Sequence, residues 1–397
     1  MTRPNLSPLV LDGDQIKLRL QSERTDTKTP VHVDWVRFTT LLRNAPMPSA
    51  ELLFPRTDNI WDETNRQAEL VKTLSQIPDP DYSASVQAYD LAHQVCEALG
   101  ESYSVNAEIR KGHDFYRCRW SIERNGCEVG WVGFLSSSES PRQVSQAQTL
   151  HCNLYGAACT FADRGWNGRL ADLIDQHDGK LTRADLALDF FDGLSGGRDM
   201  ESIRQDYMAG LMDSGGKRLK CSQAGDWCNG AERSFYIGSR EAGKQTNIYE
   251  KGDQLYGPDA GSPWVRIELR YGNKLRFLSV DLLRRPAEFF AGASDWHAAM
   301  LREADQAVTP EPVKTTPRLA IQTIEAEVAR NVRWALSVAA PTITVAFQNL
   351  GDEFLQLCTN HKLPGRLQRF NPSELKRVFR QAFESVSSVE GQSPAFA

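Results

Sequence analysis

Apolar and polar residues alternate along several short runs of this chain, and some of those runs carry their charges on a single parity. In Arg183-Ala184-Asp185-Leu186-Ala187-Leu188-Asp189 the charges fall on odd positions. In Trp264-Val265-Arg266-Ile267-Glu268-Leu269-Arg270-Tyr271 they fall on even ones. Residues two apart on a strand share a face. Arg183, Asp185 and Asp189 therefore point one way, as do Arg266, Glu268 and Arg270, and as do Asn247, Tyr249 and Lys251 on a third run. Further strands are predicted over 31–40, 115–123, 127–134, 148–155, 217–222 and 232–238. The Asn125-Gly126 pair between two alternating runs is a hairpin signal. Helical spacing predicts helices over 65–75, 83–99 and 167–176, and one capped by Asp199 that runs to about 212. Short turns between consecutive strands favour an α+β fold, with a mainly antiparallel central sheet and flanking helices, over a doubly wound parallel one.

The punctuation suggests five segments. Residues 1–30 are polar without a clear period and read as an N-terminal arm or peripheral strand. Residues 31–307 form the main domain. A proline-rich linker over 308–318 precedes a helical C-terminal region, 319–390, with helices expected at 320–338, 342–359 and 372–386. The tail, 391–397, reads as disordered.

Three polar strand faces with acids, bases and a tyrosine suit a reaction on a phosphate. Tyr249 is the candidate nucleophile, and the alternative is a packing residue of an amphipathic strand. A phenol has a pKa near 10, so a metal or Lys251 must favour the phenolate. Tyr236, in the neighbouring run, is the second candidate. Asp185, Asp189, Glu268 and Asp34 are hard oxygen ligands suited to Mg²⁺ or Mn²⁺. At roughly 3.3 Å per residue, Asp185 and Asp189 stand about 13 Å apart on one strand. Asp185 with Glu268 is the better pair, with Asp34 as a third ligand. The competing role is cross-strand ion pairing with Arg183, Arg266 or Arg270. Arg240, Arg266 and Arg270, with Lys251, are candidates for holding phosphate oxygens, against the plainer role of a solvated face. His113, His151 and the eight cysteines lack zinc-site spacing.

The runs 181–189, 235–240 and 248–252, the run 264–269, and more weakly Val33-Asp34-Trp35, give the chain its family resemblance. Over residues 31 to 295 it resembles the replication initiation factors of phages and plasmids, the rolling-circle initiator group. The resemblance implies that Tyr249 nicks one strand of an origin, forming a 5′-phosphotyrosyl link and a free 3′-OH. It also implies a divalent metal, origin DNA that is single-stranded or locally melted, a host helicase and polymerase as partners, and room for a homodimer. Many relatives carry arginine two places before the tyrosine, where this chain has Asn247. Two other functions remain open: a sequence-specific DNA-binding regulator that does not cut, and a metal-dependent nuclease that uses water.

Composition alters this picture in two places. The chain has 397 residues and a net charge of −5, which argues against a protein coated in positive charge. The segment 361–380, however, carries Lys362, Arg366, Arg369, Lys376, Arg377 and Arg380 against Glu374. Its charge is +5, which leaves −10 on the rest, so a local DNA-contacting patch is expected there. The absence of any apolar run of eighteen residues, of a signal-like N-terminus and of Cys-x-x-Cys pairs points to a cytoplasmic protein without a membrane span.

Overall fold

The computed structural model describes residues 13–46, 80–138, 146–214, 216–306, 310–317, 335–359 and 371–390, with scattered residues between them. They fall into two compact units, residues 1–137 with 146–316, and residues 138–145 with 317–397.

The first unit is built on one ten-stranded sheet. Its elements in chain order are α1 (Gly13–Thr27), β1 (Val31–Leu41), α2 (Pro80–Leu99), β2 (Tyr103–Lys111), β3 (Tyr116–Arg124), β4 (Cys127–Ser136), β5 (Thr149–Leu154), α3 (Gly156–Phe161), α4 (Trp166–Gln176), β6 (Lys180–Phe190), α5 (Met200–Met208), β7 (Cys221–Asp226), β8 (Ala231–Ser239), β9 (Lys244–Glu250), α6 (Lys251–Tyr256), β10 (Val265–Gly272), α7 (Asp281–Arg284), α8 (Pro286–Ala291) and α9 (Asp295–Ala304). The strands lie in the order β2-β3-β4-β5-β1-β6-β10-β9-β8-β7, and the pairs in this sheet are antiparallel. The α+β expectation with a mainly antiparallel sheet holds.

Strand parity decides which face is which. Leu186 and Leu188 of β6, Ile267 and Leu269 of β10 and Ile248 of β9 are fully buried on one side. Burying each such side chain contributes about 1.5–3 kcal/mol. Helices α2, α4, α8 and α9 pack on this unit's apolar core. Helix α2 offers Ala84, Ala88, Leu91, Val95 and Leu99 at helical spacing. The opposite face is polar, and α1 and α3 stand over part of it. The hairpin between β3 and β4 turns at Asn125 (φ 52°) and Gly126 (φ 72°), the left-handed pair that a two-residue turn needs. Helix α5 begins with the expected cap: Asp199 accepts from the Ser202 N–H, and the Ser202 side chain answers it.

The structure departs from the expected elements in several places. The polar segment 1–30 contains a helix, α1, anchored by Ile16 and Leu20 against Phe191 and Trp264. Only two of its residues form that apolar anchor, too few to give a readable stripe. Strand β2 was not anticipated, and the strand expected at 217–222 lies later, at Cys221–Asp226, where its six residues are exposed and no apolar alternation marks it. Part of the proline-rich stretch is tied to the first unit, with the Val313 N–H donating to Glu288 O at 3.0 Å. The helix expected over 65–75 lies largely outside the described residues, as do 391–397.

The second unit is helical. Its elements are α10 (Ala340–Leu350), α11 (Asp352–Thr359) and α12 (Pro372–Glu390). The single helix expected over 342–359 is broken at Gly351, whose φ of 56° ends it. Leu375, Val378 and Ala382 of α12 are buried in a cluster with Ile324, Val328, Val332 and Leu367. Most of 320–338 lies outside the described residues. No described helix is long and apolar enough to cross a membrane.

Candidate active site

The polar face of the sheet is assembled by register. In β9 and β10, Tyr249 stands opposite Arg266 and Asn247 opposite Glu268. In β10 and β6, Arg266 stands opposite Asp189 and Arg270 opposite Asp185. In β8, Tyr236 stands opposite Asn247. A bulge in β1 between Val33 and Trp35 takes Asp34 out of the ladder, and Asp34 bonds Arg266 on this same face. The result is a cleft of about 360 Å³ lined by Asp34, Tyr236, Asn247, Tyr249, Lys251, Arg266, Glu268 and Arg270, with α1 and α3 contributing Ile16, Thr160 and Phe161.

Two arginine–carboxylate groups share the floor. In the first, the Arg266 Nε and Nη2 atoms donate to the two oxygens of Asp189 at 2.8 and 2.9 Å, and Nη1 donates to Asp34 at 2.7 Å. The Trp264 ring N–H donates to the same Asp189 at 2.6 Å. His32 lies 3.5 Å from an oxygen of each acid. Burial alone would raise Asp34, but the guanidinium of Arg266 and His32 hold it well below the usual carboxylate range. Burial works against the charge on Arg266 too, and Asp189 with Asp34 keeps it well above the usual arginine value.

In the second group, Arg270 Nε donates to Glu268 Oε1 at 2.6 Å and lies 3.7 Å from Asp185 Oδ2. Those two carboxylate oxygens are therefore no more than 6.3 Å apart, the sum of the two distances. Arg183 also grips Asp185, with Nε at 2.9 Å. Burial pushes Asp185 up to about 7, against the pull of Arg183, and the neighbouring Glu268 charge adds to the rise. The buried Asn247 Oδ1 has no hydrogen-bond partner.

Tyr249 donates its hydroxyl to Glu268 Oε2 at 3.4 Å. Burial raises its pKa well above the ordinary phenol value; Arg266 pulls against that, and Glu268, Asp34 and Asp189 add to it. Lys251 is not on the strand as parity suggested: β9 ends at Glu250 and α6 begins at Lys251. It reaches the cleft all the same, with Nζ 5.7 Å from the centre of the Tyr249 ring. Burial, followed by Arg266, lowers it to about 8.

The structure thus brings Tyr249, Lys251, Asp34, Glu268, Arg266 and Arg270 to one cleft, with Asp185 bonded beneath. Asp189 lies on the expected face but is enclosed by Arg266 and Trp264. Arg240 lies instead beside a neighbouring cleft, with Arg183 and Arg270. On α12, Lys376, Arg377 and Arg380 are exposed; Lys362, Arg366 and Arg369 are outside the described residues. Sequence reasoning missed His32, although its two-residue spacing from Asp34 was a usable signal. It also missed Trp264 as a partner of Asp189, for which no local pattern exists.

Among the described residues no group of three or more His, Cys, Asp or Glu could hold a metal. Magnesium, however, is often held by one or two carboxylates plus substrate phosphates. Asp185 and Glu268, with the unpartnered Asn247 oxygen, are the donors nearest to that mode, although Arg183 and Arg270 already occupy carboxylate oxygens of both.

The comparison with known families bears on this stretch of the chain. Residues 179–354 match the family model described as Replication initiation factor. Over this stretch, under half of the chain, the protein is similar to that family. The replication initiation factor match includes β6, β8, β9 and β10, the strands that carry the tyrosine and both arginine–carboxylate groups. It begins later than the resemblance read from the sequence: β1, with Asp34, lies outside it, and it extends past the proline-rich stretch. No curated protein matches the chain. A solved structure described as a rolling circle replication initiator protein from Geobacillus stearothermophilus is similar at 16% identity, covering 70% of this chain and 80% of that one with a TM-score of 0.36. A score that low carries no argument.

Proposed function

We propose that the protein is a rolling-circle replication initiator that nicks one origin strand and becomes attached to it through Tyr249. The observation that carries the reading is a tyrosine hydroxyl bonded to a carboxylate inside a cleft lined by Lys251, Arg266 and Arg270. The family match over the same strands supports it.

The Tyr249 oxygen attacks the scissile phosphorus, forming the phosphotyrosyl bond while the P–O3′ bond breaks. Glu268, already the acceptor of the hydroxyl, receives the phenolic proton. The departing 3′ oxygen takes up a proton and leaves as a free 3′-OH for a polymerase. Lys251, protonated at neutral pH, stabilises the developing phenolate. Arg270 faces the phosphate oxygens, and Arg266, spent on Asp34 and Asp189, positions the strand that carries its neighbours. Asp185 and Glu268, with the Asn247 oxygen, would hold Mg²⁺ or Mn²⁺, which would offset negative charge on the phosphate. The exposed Lys376, Arg377 and Arg380 would touch duplex origin phosphates, giving affinity and not chemistry. A host helicase and polymerase in the cytoplasm would complete the reaction sequence.

The test is a labelled single strand from the replicon's own origin, incubated with protein and Mg²⁺ and run on a denaturing gel. A covalent shift is expected. Tight binding without a shift would favour a non-cutting regulator, and cleavage without attachment would favour a nuclease that uses water.

A further inference from the structure

A second cleft, of about 410 Å³, opens beside the first. Its lining includes Arg37, Arg183, Arg240 and Arg270, against the single acid Asp114. Arg37 pairs with Asp114, and Arg183 and Arg270 pair with Asp185 and Glu268, so among the described residues Arg240 is the guanidinium of this cleft with no carboxylate in contact. Arg183 and Arg270 line both clefts, so the second cleft adjoins the one that holds the tyrosine.

Two further features make this more than a charged patch. Phe115 is 59% exposed at the cleft. It is held there by strained backbone: Asp114 and Phe115 both adopt positive φ, 50° and 73°, which costs on the order of 1–3 kcal/mol at each non-glycine residue. The loop is kept in place by the Asp114–Arg37 ion pair at 3.0 Å and by the Ser137 N–H donating to Phe115 O at 2.9 Å. At the back of the cleft, His151 is buried. Its Nδ1 pairs with the Thr39 hydroxyl at 2.9 Å, and its Nε2 has no partner.

Guanidiniums for a backbone and an exposed ring for a base face are the elements a nucleotide-binding surface needs. Stacking on an aromatic side chain requires an unstacked base, so the ligand is a single strand and not a duplex. We propose that this cleft holds the single-stranded DNA flanking the scissile phosphate, with Phe115 stacking on a base and Arg240 pairing with a phosphate. The inference rests on the reading of Tyr249 as the site of attachment, because the shared arginines set the path of the strand between the two clefts.

The experiment uses the full-length protein, a fluorescein-labelled mixed-sequence 20-nucleotide strand and its duplex, read by anisotropy in EDTA across a salt series. Phe115→Ala is expected to weaken single-strand binding about fivefold or more, and Phe115→Trp to restore it. Arg240→Gln is expected to reduce the slope of log affinity against log salt by about 0.7. Duplex binding should change little in the Phe115 variant. Both are surface positions, and unchanged melting curves would confirm folding. Wild-type affinity and salt slope in both variants would overturn the proposal, as would an equal loss on duplex or no binding of the strand by the wild type. Tyr249→Phe separates the two readings, because it should bind the strand normally. If that variant still forms the adduct while Phe115→Ala loses affinity, the nucleophile reading falls and the groove stands. If wild-type adduct depends on Tyr249 and neither groove variant alters binding, the groove falls alone.

Discussion

The two arginine–carboxylate groups on the polar face are made of the same residue types in adjacent strands, yet they differ in how completely they are satisfied. Around Arg266 every guanidinium arm is used: Asp189 receives a two-pronged guanidinium and an indole N–H, and Asp34 takes the remaining arm. Around Arg270 the pairing is different. Arg183 and Arg270 both hold Asp185 while Glu268 has Arg270 alone, burial pushes Asp185 up to about 7, and the Asn247 oxygen opposite Glu268 has no partner. A buried charge network whose arms are all paired fixes a structure, whereas one that leaves a buried acceptor unpaired and a carboxyl strongly shifted has capacity for a ligand. The closed group braces the sheet, and the open group faces the cleft.

The sharpest break of this contrast is Tyr249→Phe. Adduct formation with a labelled origin strand should fall below detection, while stability changes by only about 1 kcal/mol for the lost hydroxyl. Tyr236→Phe, altered at the neighbouring tyrosine of the cleft, should keep the adduct; its loss there alone would move the nucleophile to Tyr236.

Next in size is Asp189→Asn in the closed group. Removing the charge leaves Arg266 buried without its main partner, and the expected cost is about 3–5 kcal/mol in urea unfolding. A loss under 1 kcal/mol would remove the distinction between bracing and reactive carboxylates. In the open group, Lys251→Met should lower the adduct rate roughly a hundredfold. Wild-type activity should decline above about pH 8 as Lys251 loses its proton, and the variant should lack that limb.

The smallest effect is a pH slope. Asp185 has a folded-state pKa of about 7, raised from its ordinary 3.8. Between those values the folded metal-free protein binds more protons than the unfolded chain, so stability falls as pH rises through that window. Asp185→Asn should flatten the slope and also abolish calorimetric heat from Mn²⁺ binding. A slope of the opposite sign in the wild type would show that the arginines govern Asp185 and that the open group is as closed as the other.

Strand parity made the polar face legible from the sequence alone. Arg266, Glu268, Arg270, Asp185 and Tyr249 share a side because strands place them so, and register then sets them opposite one another. What parity cannot convey is a break in parity. Asp34 reaches Arg266 through a bulge, an irregularity set by pairing partners far away in sequence. Lys251 reaches the cleft from the first turn of a helix. Asp189 looked equivalent to Asp185, and only the position of Trp264, 75 residues later, separates their environments. Helix α1 was hidden for a similar reason, since its anchors, Phe191 and Trp264, belong to distant segments.

The ten-stranded sheet never closes on itself, so it ends in two open edges, β2 and β7. An open edge presents unpaired backbone groups to any other extended chain, including another copy of this one. Both edge strands carry an interruption of register where they meet their neighbours, between Val105 and Ile109 in β2 and between Ala224 and Asp226 in β7. On β7, Gly225 at φ 87° packs so close to the Glu232 carbonyl that a side chain there would collide with it. The irregularities leave each margin of the sheet a poor template for growth by another extended chain.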